Sequence, residues 1–346
     1  GAARGAGPNG VIDHPTDHAT ERPTERRRYD IHGAAVEVAS ADAALLQLLD
    51  GRLLPFATAD AGSVAAVTFR FLTSPEGPPP RAAADVGRPV YDLRSGHVLY
   101  FEDGDVINVE HEGVTMVADL GAGLVETWVG DADHRARWLA THPFFTLAIL
   151  EVLKRRGLHS VHAAACAADG GSVLLVPGQS GAGKTTLALA LARAGLGLLG
   201  DDTVFLAERE STLQVLGFPD EVDVTDQTAS LLPELSHLLE RPKPPGAVKH
   251  RLRAEEVYEA RLVGSGRPTA LVFPEVAGCE DSTLVPMSPD DALMELLPNV
   301  LLTEASSSQS HLDALGRLAS GVPSYRMTVG TDLHGAATLL ATVAST

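Results

Sequence analysis

Cysteine is scarce in this chain: Cys166 and Cys279 are the only two among 346 residues. Two cysteines are too few for a disulfide framework or a cysteine-rich zinc site, so the composition favours a reducing compartment. Long apolar runs are missing as well, because no stretch approaches the roughly 18–20 residues that a membrane span needs. Residues 1–30 also lack the apolar core of a signal peptide. We therefore expect a cytoplasmic protein without a membrane partner.

Positive charge is the second scarcity. The 27 lysine and arginine residues are outnumbered by 45 aspartate and glutamate residues, which gives a formal net charge of −18. Such a surplus of negative charge argues against DNA, RNA or an anionic membrane surface as the main partner. A nucleotide pocket needs only a local group of basic residues, so the composition remains compatible with a nucleotide ligand.

The apolar content of 45% is ample for a buried core, and the patterns divide the chain into three parts. Residues 1–28 are rich in glycine, proline, threonine and charge, which predicts a flexible tail. Residues 29–132 predict a smaller N-terminal α+β region. It begins with a strand over 29–40, and from Val90 onward it has five strand-like runs broken by glycine and aspartate, typical of an antiparallel meander.

Residues 133–346 form the predicted catalytic domain. It opens with an amphipathic helical pattern over 133–157 and continues with strand-like runs mixed with helical runs at 289–297, 309–320 and 332–344. Strands mixed with helices in this way predict an α/β fold with a three-layer core.

A glycine-rich motif stands between an apolar strand-like run and a helical run. Gly178-Gln-Ser-Gly-Ala-Gly183-Lys184-Thr185 matches G-x-x-x-x-G-K-[ST], the phosphate-binding P-loop pattern. Its glycines let backbone N–H groups surround a phosphate, and the helix that follows offers its positive end. Because the chain has only four lysines, a chance match of this pattern is rare. The motif predicts binding of ATP together with Mg²⁺.

Within this motif, Lys184 is predicted to reach the β- and γ-phosphates and Thr185 to bind Mg²⁺. The residues predicted to contact the nucleotide are Gly178, Gln179, Ser180, Gly181, Ala182, Gly183, Lys184, Thr185 and Thr186. The chain has no LSGGQ-like signature and no apolar strand that ends in Asp-Glu. Both absences argue against a transporter-type ATPase.

Two adjacent carboxylates, Asp201 and Asp202, follow the next strand-like run, 17 and 18 positions after Lys184. After one helix and one returning strand, the chain comes back beside the phosphates, so the two side chains can divide two tasks. One helps to hold Mg²⁺, and the other accepts a proton from an attacking hydroxyl. The alternative interpretation is a polar turn that takes no part in chemistry.

His162 lies 16 positions before Gly178, on a strand-like run that we expect beside the strand of the P-loop. A single histidine on an apolar strand is more often a satisfied core residue than a catalyst. Both interpretations stay open on the residue alone.

Three segments occur in a defined order: VHAAAC (161–166), GQSGAGKTT (178–186) and LLGDDTVFL (198–206). Together they resemble the catalytic domain of the HPr kinase/phosphorylase family and its HPr-kinase-like relatives. The resemblance implies a P-loop kinase core similar to that of phosphoenolpyruvate carboxykinase. It also implies that Asp202 is the general base, that His162 lies near it and that Asp201 lies near the metal.

The chain also departs from this family. Thr186 stands where the family's own kinase carries Glu, Ala163 stands where it carries Gly, and the R-G-x-G segment that follows the core is missing. These differences argue against HPr itself as the acceptor. HPr-kinase-like relatives include enzymes that phosphorylate serine in peptides, as in lasso-peptide maturation, and enzymes that phosphorylate free serine.

A basic segment, RPKPPGAVKHRLR at 241–253, contains no acidic residue. Its cations can offset the charge of the γ-phosphate in a phosphoryl-transfer transition state, and Lys249 and Arg251 are the preferred residues for this task. The alternative is a solvated loop. The predicted catalytic residues are therefore Asp202, His162, Lys184 and Arg251.

The leading functional prediction is an ATP-dependent kinase that transfers a phosphoryl group to a hydroxyl. Serine of a peptide or protein is the preferred acceptor, including a role in peptide natural-product maturation. Two alternatives stay open: a kinase for a small molecule such as free serine, and a nucleotide-binding regulator of the same fold that transfers nothing. The N-terminal region is either a recognition module or support for the core, and the sequence leaves a homo-oligomer open.

Overall fold

The computed structural model describes residues 25–58, 65–74, 88–93, 96–100, 105–131, 133–243, 248–258, 262–301 and 305–344. The predicted tail up to residue 24 lies outside the described residues. Within the described ranges the fold is mixed α/β, with one eight-stranded sheet, one nine-stranded sheet and one two-stranded sheet.

The eight strands of the first sheet are β1 Glu25–Ile31, β2 Ala34–Ser40, β3 Val67–Thr73, β4 Arg88–Leu93, β5 Gly96–Tyr100, β6 Val106–His111, β7 Val114–Asp119 and β8 Leu124–Val129. The remaining strands are β9 His159–Val161, β10 Ala163–Ala167, β11 Ser172–Pro177, β12 Gly197–Gly200, β13 Val204–Arg209, β14 Thr212–Gly217, β15 Val222–Val224, β16 His250–Leu252, β17 Ser265–Val276, β18 Thr283–Met287 and β19 Ser324–Val329.

The α-helices are α1 Ala43–Leu53, α2 His134–Leu139, α3 Phe145–Lys154, α4 Lys184–Arg193, α5 Asp226–Leu231, α6 Ala254–Val257, α7 Pro289–Leu296, α8 Ala305–Gly321 and α9 Leu333–Ala344. Short 3₁₀ turns lie at Leu54–Phe56, Pro233–Glu240 and Leu297–Asn299, and a π-helical turn lies at Ala140–Phe144. The three helical runs predicted near the C-terminus are confirmed as α7, α8 and α9.

The first sheet has the strand order β1-β2-β3-β8-β7-β6-β5-β4. Strands β4 to β8 pair antiparallel with their chain neighbours, so the predicted meander is confirmed. The single strand predicted over 29–40 is wrong, because His32 and Gly33 have φ angles of 53° and 92° and turn the chain into a hairpin. Positive φ at both central residues is the geometry of a tight hairpin turn.

The hairpin also starts earlier than the predicted end of the tail at residue 28, because β1 begins at Glu25. Arg26 and Arg28 of β1 form ion pairs with the buried Glu37 of β2, at 2.5 Å and 3.1 Å. Glu37 is only 4% exposed, so its charge needs these cross-strand partners. Residues 25–28 therefore belong to the sheet.

The nine-stranded sheet consists of two limbs that share β17. The first residues of β17, Ser265 and Gly266, pair with β14, and β14 continues through β13 to β9. Farther along, β17 runs parallel to β11 and to β19, and β11 continues through β10 to β12. The limb that contains β14, β13 and β9 is called the short limb below, and the limb that contains β11, β10 and β12 is called the glycine-loop limb, after the glycine-rich segment that follows β11.

Helices cover both faces of the glycine-loop limb. Side chains alternate along β10, so that Ala164 and Cys166 pack in one apolar core with residues of α4 and α9. Ala163 and Ala165 pack in another core with residues of α7 and α8. Strands buried on both faces are typical of parallel sheets in α/β proteins. The predicted three-layer arrangement is present in this part of the chain.

The long helix predicted over 133–157 is interrupted. Asp133 caps α2 by accepting a hydrogen bond from the backbone N–H of Ala136, but the segment from Ala140 to Phe144 is a π-helical turn that contains Pro143. Proline has no N–H to donate and clashes with the preceding turn of an α-helix, which accounts for the irregular turn. Phe145 of α3 packs against Phe69 of β3, with ring centroids 4.7 Å apart.

The two halves of the chain share an apolar core. Phe205 and Phe218 belong to the same buried cluster as the N-terminal sheet, α1, α2 and α3. The Arg52 guanidinium donates to the Asp220 carboxylate at 2.7 Å, and the backbone carbonyl of Gly217 lies 2.6 Å from Nε2 of His32. The division into domains at residue 132 stays a prediction, and the helices that follow it pack with the N-terminal sheet.

Among the described residues, no helix is both long enough and apolar enough to span a membrane.

Two buried histidines stack where β9 meets α8. The rings of His159 and His311 lie 5.1 Å apart between centroids, and Nε2 of His311 donates to the backbone carbonyl of Ser160 at 2.9 Å. Burial, together with His159 and Lys154, lowers the pKa of His311 from 6.5 to about 3. Burial and Lys154 also lower the pKa of His159. Both rings are therefore neutral in the folded protein near neutral pH.

We expect the buried histidine pair to make the folded protein less stable in acid. The unfolded chain binds a proton at His311 near pH 6.5 while the folded chain does not, so this contribution to stability is lost as the pH falls below about 6.5. His311→Gln keeps a donor for Ser160 but cannot be protonated. Between pH 7.5 and 5.5, the parent protein should lose about 1.4 kcal/mol more unfolding free energy than His311→Gln.

The measurement is urea unfolding at both pH values, with His237→Gln, an exposed histidine, as the matched control. Equal losses in the parent protein and His311→Gln would contradict the prediction.

Candidate functional site

A cavity of about 660 Å³ lies at the carboxyl ends of the parallel strands β11, β17 and β19. Residues at or just after these strand ends line it: part of the glycine-rich loop after β11, Val276 to Gly278 at the end of β17, and Val329, Gly330, Thr331 and Leu333 at the end of β19. In open α/β sheets, ligands bind in the crevice outside the carboxyl ends of the strands. The volume is in the range of small-molecule sites.

The glycine-rich loop, residues 178–183, connects β11 to α4. Gly181 and Gly183 have φ angles of 90° and 100°, which side-chain-bearing residues rarely adopt, so the tight connection depends on glycine. Of the nine residues predicted to contact a nucleotide, six line the cavity: Ser180, Gly181, Gly183, Lys184, Thr185 and Thr186. The other three, Gly178, Gln179 and Ala182, are not among the residues that line it.

Lys184 is the first residue of α4 and is only 6% exposed. Its ammonium group donates to the carbonyls of Gly178 and Gln179, at 2.5 Å and 3.1 Å, and lies 3.0 Å from Nε2 of His162. Burial lowers the pKa of Lys184, while the nearby Asp202 and Asp201 raise it in part. The ammonium group is thus held at the cavity wall by partners on both sides.

His162 lies at a break between β9 and β10, where the chain leaves the short limb and enters the glycine-loop limb. Its backbone N–H donates to the carbonyl of Asn299 at 2.8 Å. The sequence predicted one continuous strand here, and that prediction is wrong at this residue. The expected position beside the strand that precedes the glycine-rich motif is confirmed for the following residues, because β10 pairs antiparallel with β11.

The hydrogen bonds of His162 define its tautomer. Nδ1 lies 2.9 Å from the backbone carbonyl of Asp202, which can only accept, so Nδ1 carries the proton. Nε2 is then free to accept from the Lys184 ammonium at 3.0 Å. Nδ1 also lies 3.3 Å from Oδ1 of the Asp202 carboxylate. His162 therefore connects Lys184 to Asp202.

Asp201 and Asp202 lie at the second crossing between the two limbs, after β12 and before β13. Gly200 lies in close contact with the segment, since a Cβ there would meet the carbonyl oxygen of Thr203 at 2.6 Å. The chain crosses from one limb to the other at His162 and again at Asp201 and Asp202. Both crossings place their polar side chains at the same point of the sheet. The sequence-predicted Lys184, Thr185, His162, Asp201 and Asp202 therefore all line one cavity.

The two carboxylates occupy different surroundings. Asp201 is 8% exposed, and its Oδ2 accepts a hydrogen bond from the Thr185 hydroxyl at 3.0 Å. Burial and the charge of Asp202 raise the pKa of Asp201 to about 7, against the opposing effects of Thr185 and Lys184. Its other oxygen, Oδ1, is buried and has no hydrogen-bond partner among the described residues.

Asp202, in contrast, has a side chain that is 74% exposed. Partial loss of hydration inside the cavity would raise its pKa, but the hydrogen bond from His162 and the charges of Lys184 and Lys249 lower it overall. The Asp202 carboxylate is consequently charged near neutral pH and open to the cavity.

A divalent cation fits the pair formed by Thr185 and Asp201. A buried carboxylate oxygen without a partner, next to a hydroxyl oxygen, is the kind of donor set that Mg²⁺ uses when phosphates and water supply its other ligands. Among the described residues, no group of three or more histidine, cysteine, aspartate or glutamate side chains could hold a metal by itself.

The described part of the basic segment has acidic partners. Lys243 and His250 contact Asp226, at 2.8 Å and 3.0 Å, on the outer side of α5. Lys249 and Arg251 line the cavity, but Arg251 also donates to the Asp223 carboxylate at 3.3 Å. The pairing of β16 with β15 brings Lys249 and Arg251 beside the Asp223 carboxylate.

Several residues that line the cavity escaped the sequence analysis. Arg52, Trp138 and His142 come from the N-terminal sheet region and its helices, while Asp220 and Glu221 come from the segment before β15. They reach the cavity through contacts between residues that are distant in sequence, as in the Arg52 to Asp220 pair. No local motif marks such residues.

No family model and no curated protein matches the chain. Among solved structures, it is similar to the Hpr(Ser) kinase/phosphatase from Coxiella burnetii, with 12% sequence identity and a TM-score of 0.31. The match covers 54% of this chain and 88% of that chain. At this TM-score the similarity is remote and does not establish the family.

The contact between Thr185 and Asp201 predicts a measurable effect. Because the Thr185 hydroxyl donates to the ionised carboxylate, Thr185→Val should raise the pKa of Asp201 above its value of about 7 in metal-free protein. Thr186→Val is the matched control, since the Thr186 hydroxyl pairs with Thr228 instead. The measurement is a carboxyl ¹³C NMR titration, and an unchanged or lowered Asp201 pKa in Thr185→Val would contradict the assignment.

Proposed function

We propose that the chain is an ATP-dependent phosphotransferase with a P-loop kinase core of the HPr kinase and phosphoenolpyruvate carboxykinase type. The acceptor is a hydroxyl group, with serine of a peptide or protein as the preferred source. The observation that supports this proposal most is the different environment of two adjacent carboxylates in one cavity. Asp201 is buried against Thr185, and Asp202 is open to the cavity beside His162.

In this proposal the glycine-rich loop and the first turn of α4 bind the phosphates of ATP. The N-terminus of a helix, together with the N–H groups of a glycine-rich loop, favours an anion. Lys184 begins this helix, so its ammonium group needs only a change of hydrogen-bond partner to reach a phosphate oxygen. Burial in the cavity wall strengthens the attraction between the Lys184 ammonium and a phosphate, because the protein screens charge less than bulk water does.

Thr185 and Asp201 are the residues that would hold Mg²⁺. When bound, this ion supplies positive charge that offsets the negative charge of the phosphate oxygens during transfer. The unpartnered Oδ1 of Asp201 supports the assignment, because a buried acceptor without a partner is costly unless a cation or donor meets it.

Asp202 acts as the general base. The hydroxyl oxygen of the acceptor attacks the γ-phosphorus, its proton passes to the Asp202 carboxylate, and the bond from the γ-phosphorus to the bridging oxygen of ADP breaks. His162 keeps the segment in place through its hydrogen bond to the Asp202 carbonyl. In the reverse direction, protonated Asp202 would return the proton.

Lys249 and Arg251 supply further positive charge on the wall of the cavity. The charge of Lys249 acts on both Lys184 and Asp202, so it lies near the place proposed for the γ-phosphate. Cations at that place stabilise the charge on the equatorial oxygens of a loose transition state.

The rival function is a nucleotide-binding regulator that transfers nothing. The exposed, charged carboxylate of Asp202 favours transfer, because a protein that only binds nucleotide has no use for a base facing the cavity. A small-molecule acceptor such as free serine would use the same residues and differs only in what enters the cavity.

Loss of the Lys184 ammonium tests nucleotide binding. Lys184→Ala should weaken Mg-ATP binding by about tenfold or more while the protein stays folded, because a charge-assisted hydrogen bond to phosphate is lost. Lys243→Ala is the control, as Lys243 pairs with Asp226 on the surface. The measurement is titration calorimetry, and an unchanged dissociation constant in folded Lys184→Ala would exclude the proposed loop function.

Loss of the base tests transfer. Asp202→Asn should reduce kcat for ATP turnover with water as the acceptor by about 10²–10⁴-fold while Mg-ATP binding persists, because the amide cannot take the proton. Asp290→Asn, an exposed aspartate on α7, is the matched control. If Asp202→Asn retains most of the turnover, Asp202 is not the base. If the parent protein binds Mg-ATP but never turns it over with water, peptide serine or free serine, the regulator is favoured.

A further inference from the structure

A π-helical turn in the N-terminal half carries a histidine into the cavity. His142 lies within the turn formed by Ala140 to Phe144, and its ring stacks on that of Trp138 at 5.4 Å with an interplanar angle of 17°. The guanidinium of Arg135 covers Trp138 at 5.2 Å from the ring centroid. Single π-helical turns inside helices often occur at functional sites.

The hydrogen bonds of His142 fix its state. Nδ1 lies 3.0 Å from the Thr141 hydroxyl, which itself donates to the carbonyl of Arg137, so Nδ1 carries the proton and donates. Nε2 then accepts from Nη1 of Arg251 at 3.2 Å. Burial, with the charges of Arg52 and Arg251, lowers the pKa of His142 to about 3. A neutral ring can accept from a guanidinium, whereas an imidazolium would repel it.

Arg251 is held from two sides. Its Nε donates to Asp223 at 3.3 Å and its Nη1 to His142, while Nη2 donates to none of the residues that the structure describes. The Arg251 guanidinium lies on the cavity wall. Lys249, two positions earlier in the chain, also lines the cavity, and its charge lowers the pKa of Asp202. A planar guanidinium fixed at two nitrogens keeps its remaining donors in a defined direction.

We propose that His142 is a positioning residue for Arg251: its unprotonated Nε2 holds the guanidinium so that the remaining N–H groups meet the γ-phosphate of bound ATP. This inference rests on the proposed function. It also connects the N-terminal sheet region to the site, since His142 lies in the helical segment that packs with that sheet, whereas Arg251 lies on β16.

Trp138 contacts both the His142 ring and the Arg135 guanidinium. The stack limits the orientation of the His142 ring, and thereby the direction in which Nε2 points.

The test compares affinities for ATP and ADP, which differ by the γ-phosphate. Calorimetry with Mg-ATP and with Mg-ADP gives the ratio of the two dissociation constants for each variant. Arg251→Gln should reduce the preference for ATP by about tenfold, because a charge-assisted hydrogen bond to the γ-phosphate is lost. This readout needs no acceptor and no turnover. A loss of packing alone would weaken the binding of both nucleotides alike and leave the ratio unchanged.

Two substitutions at His142 separate ring stacking from hydrogen bonding. His142→Phe keeps a ring on Trp138 but cannot accept from Arg251, so the preference for ATP should fall at least threefold. His142→Gln loses the ring but keeps an acceptor oxygen, and its preference should stay within about twofold of the parent protein. His134→Phe, at the exposed start of α2, is the control. If His142→Phe does not fold, His142→Leu takes its place.

The double variant completes the test. Because His142 acts only through Arg251, combining His142→Phe with Arg251→Gln should lower the preference for ATP no further than Arg251→Gln alone. The inference is overturned if His142→Phe keeps the parent preference, if the two losses multiply, or if Arg251→Gln has no effect on the preference. Failure of the parent protein to bind Mg-ATP at all would instead overturn the proposed function.

Discussion

The candidate site depends on the division of the nine-stranded sheet into two limbs that share β17. Where neighbouring strands part, the chain crosses the gap twice, once at His162 and once at Asp201 and Asp202. At these crossings the backbone leaves the regular pleat, in which successive side chains must point to opposite faces. Adjacent carboxylates can therefore line the same cavity, and the loop after β11 brings Lys184 and Thr185 to the same place.

The electrostatics of the cavity follow from that placement. Asp201 is buried and has a raised pKa, and Asp202 is exposed to the cavity and has a lowered one, although the two are neighbours in sequence. Environments that push the pKa values of paired groups apart are typical of sites with separate acid, base and metal tasks. His162 and Lys184 link the Asp202 carboxylate to the glycine-rich loop through hydrogen bonds. We propose that phosphate binds at the loop end of this row and that proton transfer occurs at the Asp202 end.

The sequence was informative where short segments carry the chemistry, and uninformative where contacts span the chain. The motif around Lys184 and the pair Asp201 and Asp202 could be placed together because one strand, one loop and one helix determine their path. The break at His162 could not be predicted, since an alanine-rich strand continues beyond it without a turn residue. The approach of His142 to Arg251 joins residues 109 positions apart, and only the packing of the two halves on a shared core produces it.

We propose that the two crossings and the glycine-rich loop form one phosphoryl-transfer site. A crystal structure with Mg²⁺ and a non-hydrolysable ATP analogue tests this proposal. We expect phosphates within hydrogen-bond distance of Lys184, Mg²⁺ in contact with Thr185 and Asp201, and the γ-phosphate facing the Asp202 carboxylate. A nucleotide bound outside this cavity, or one whose γ-phosphate points away from Asp202, would contradict it.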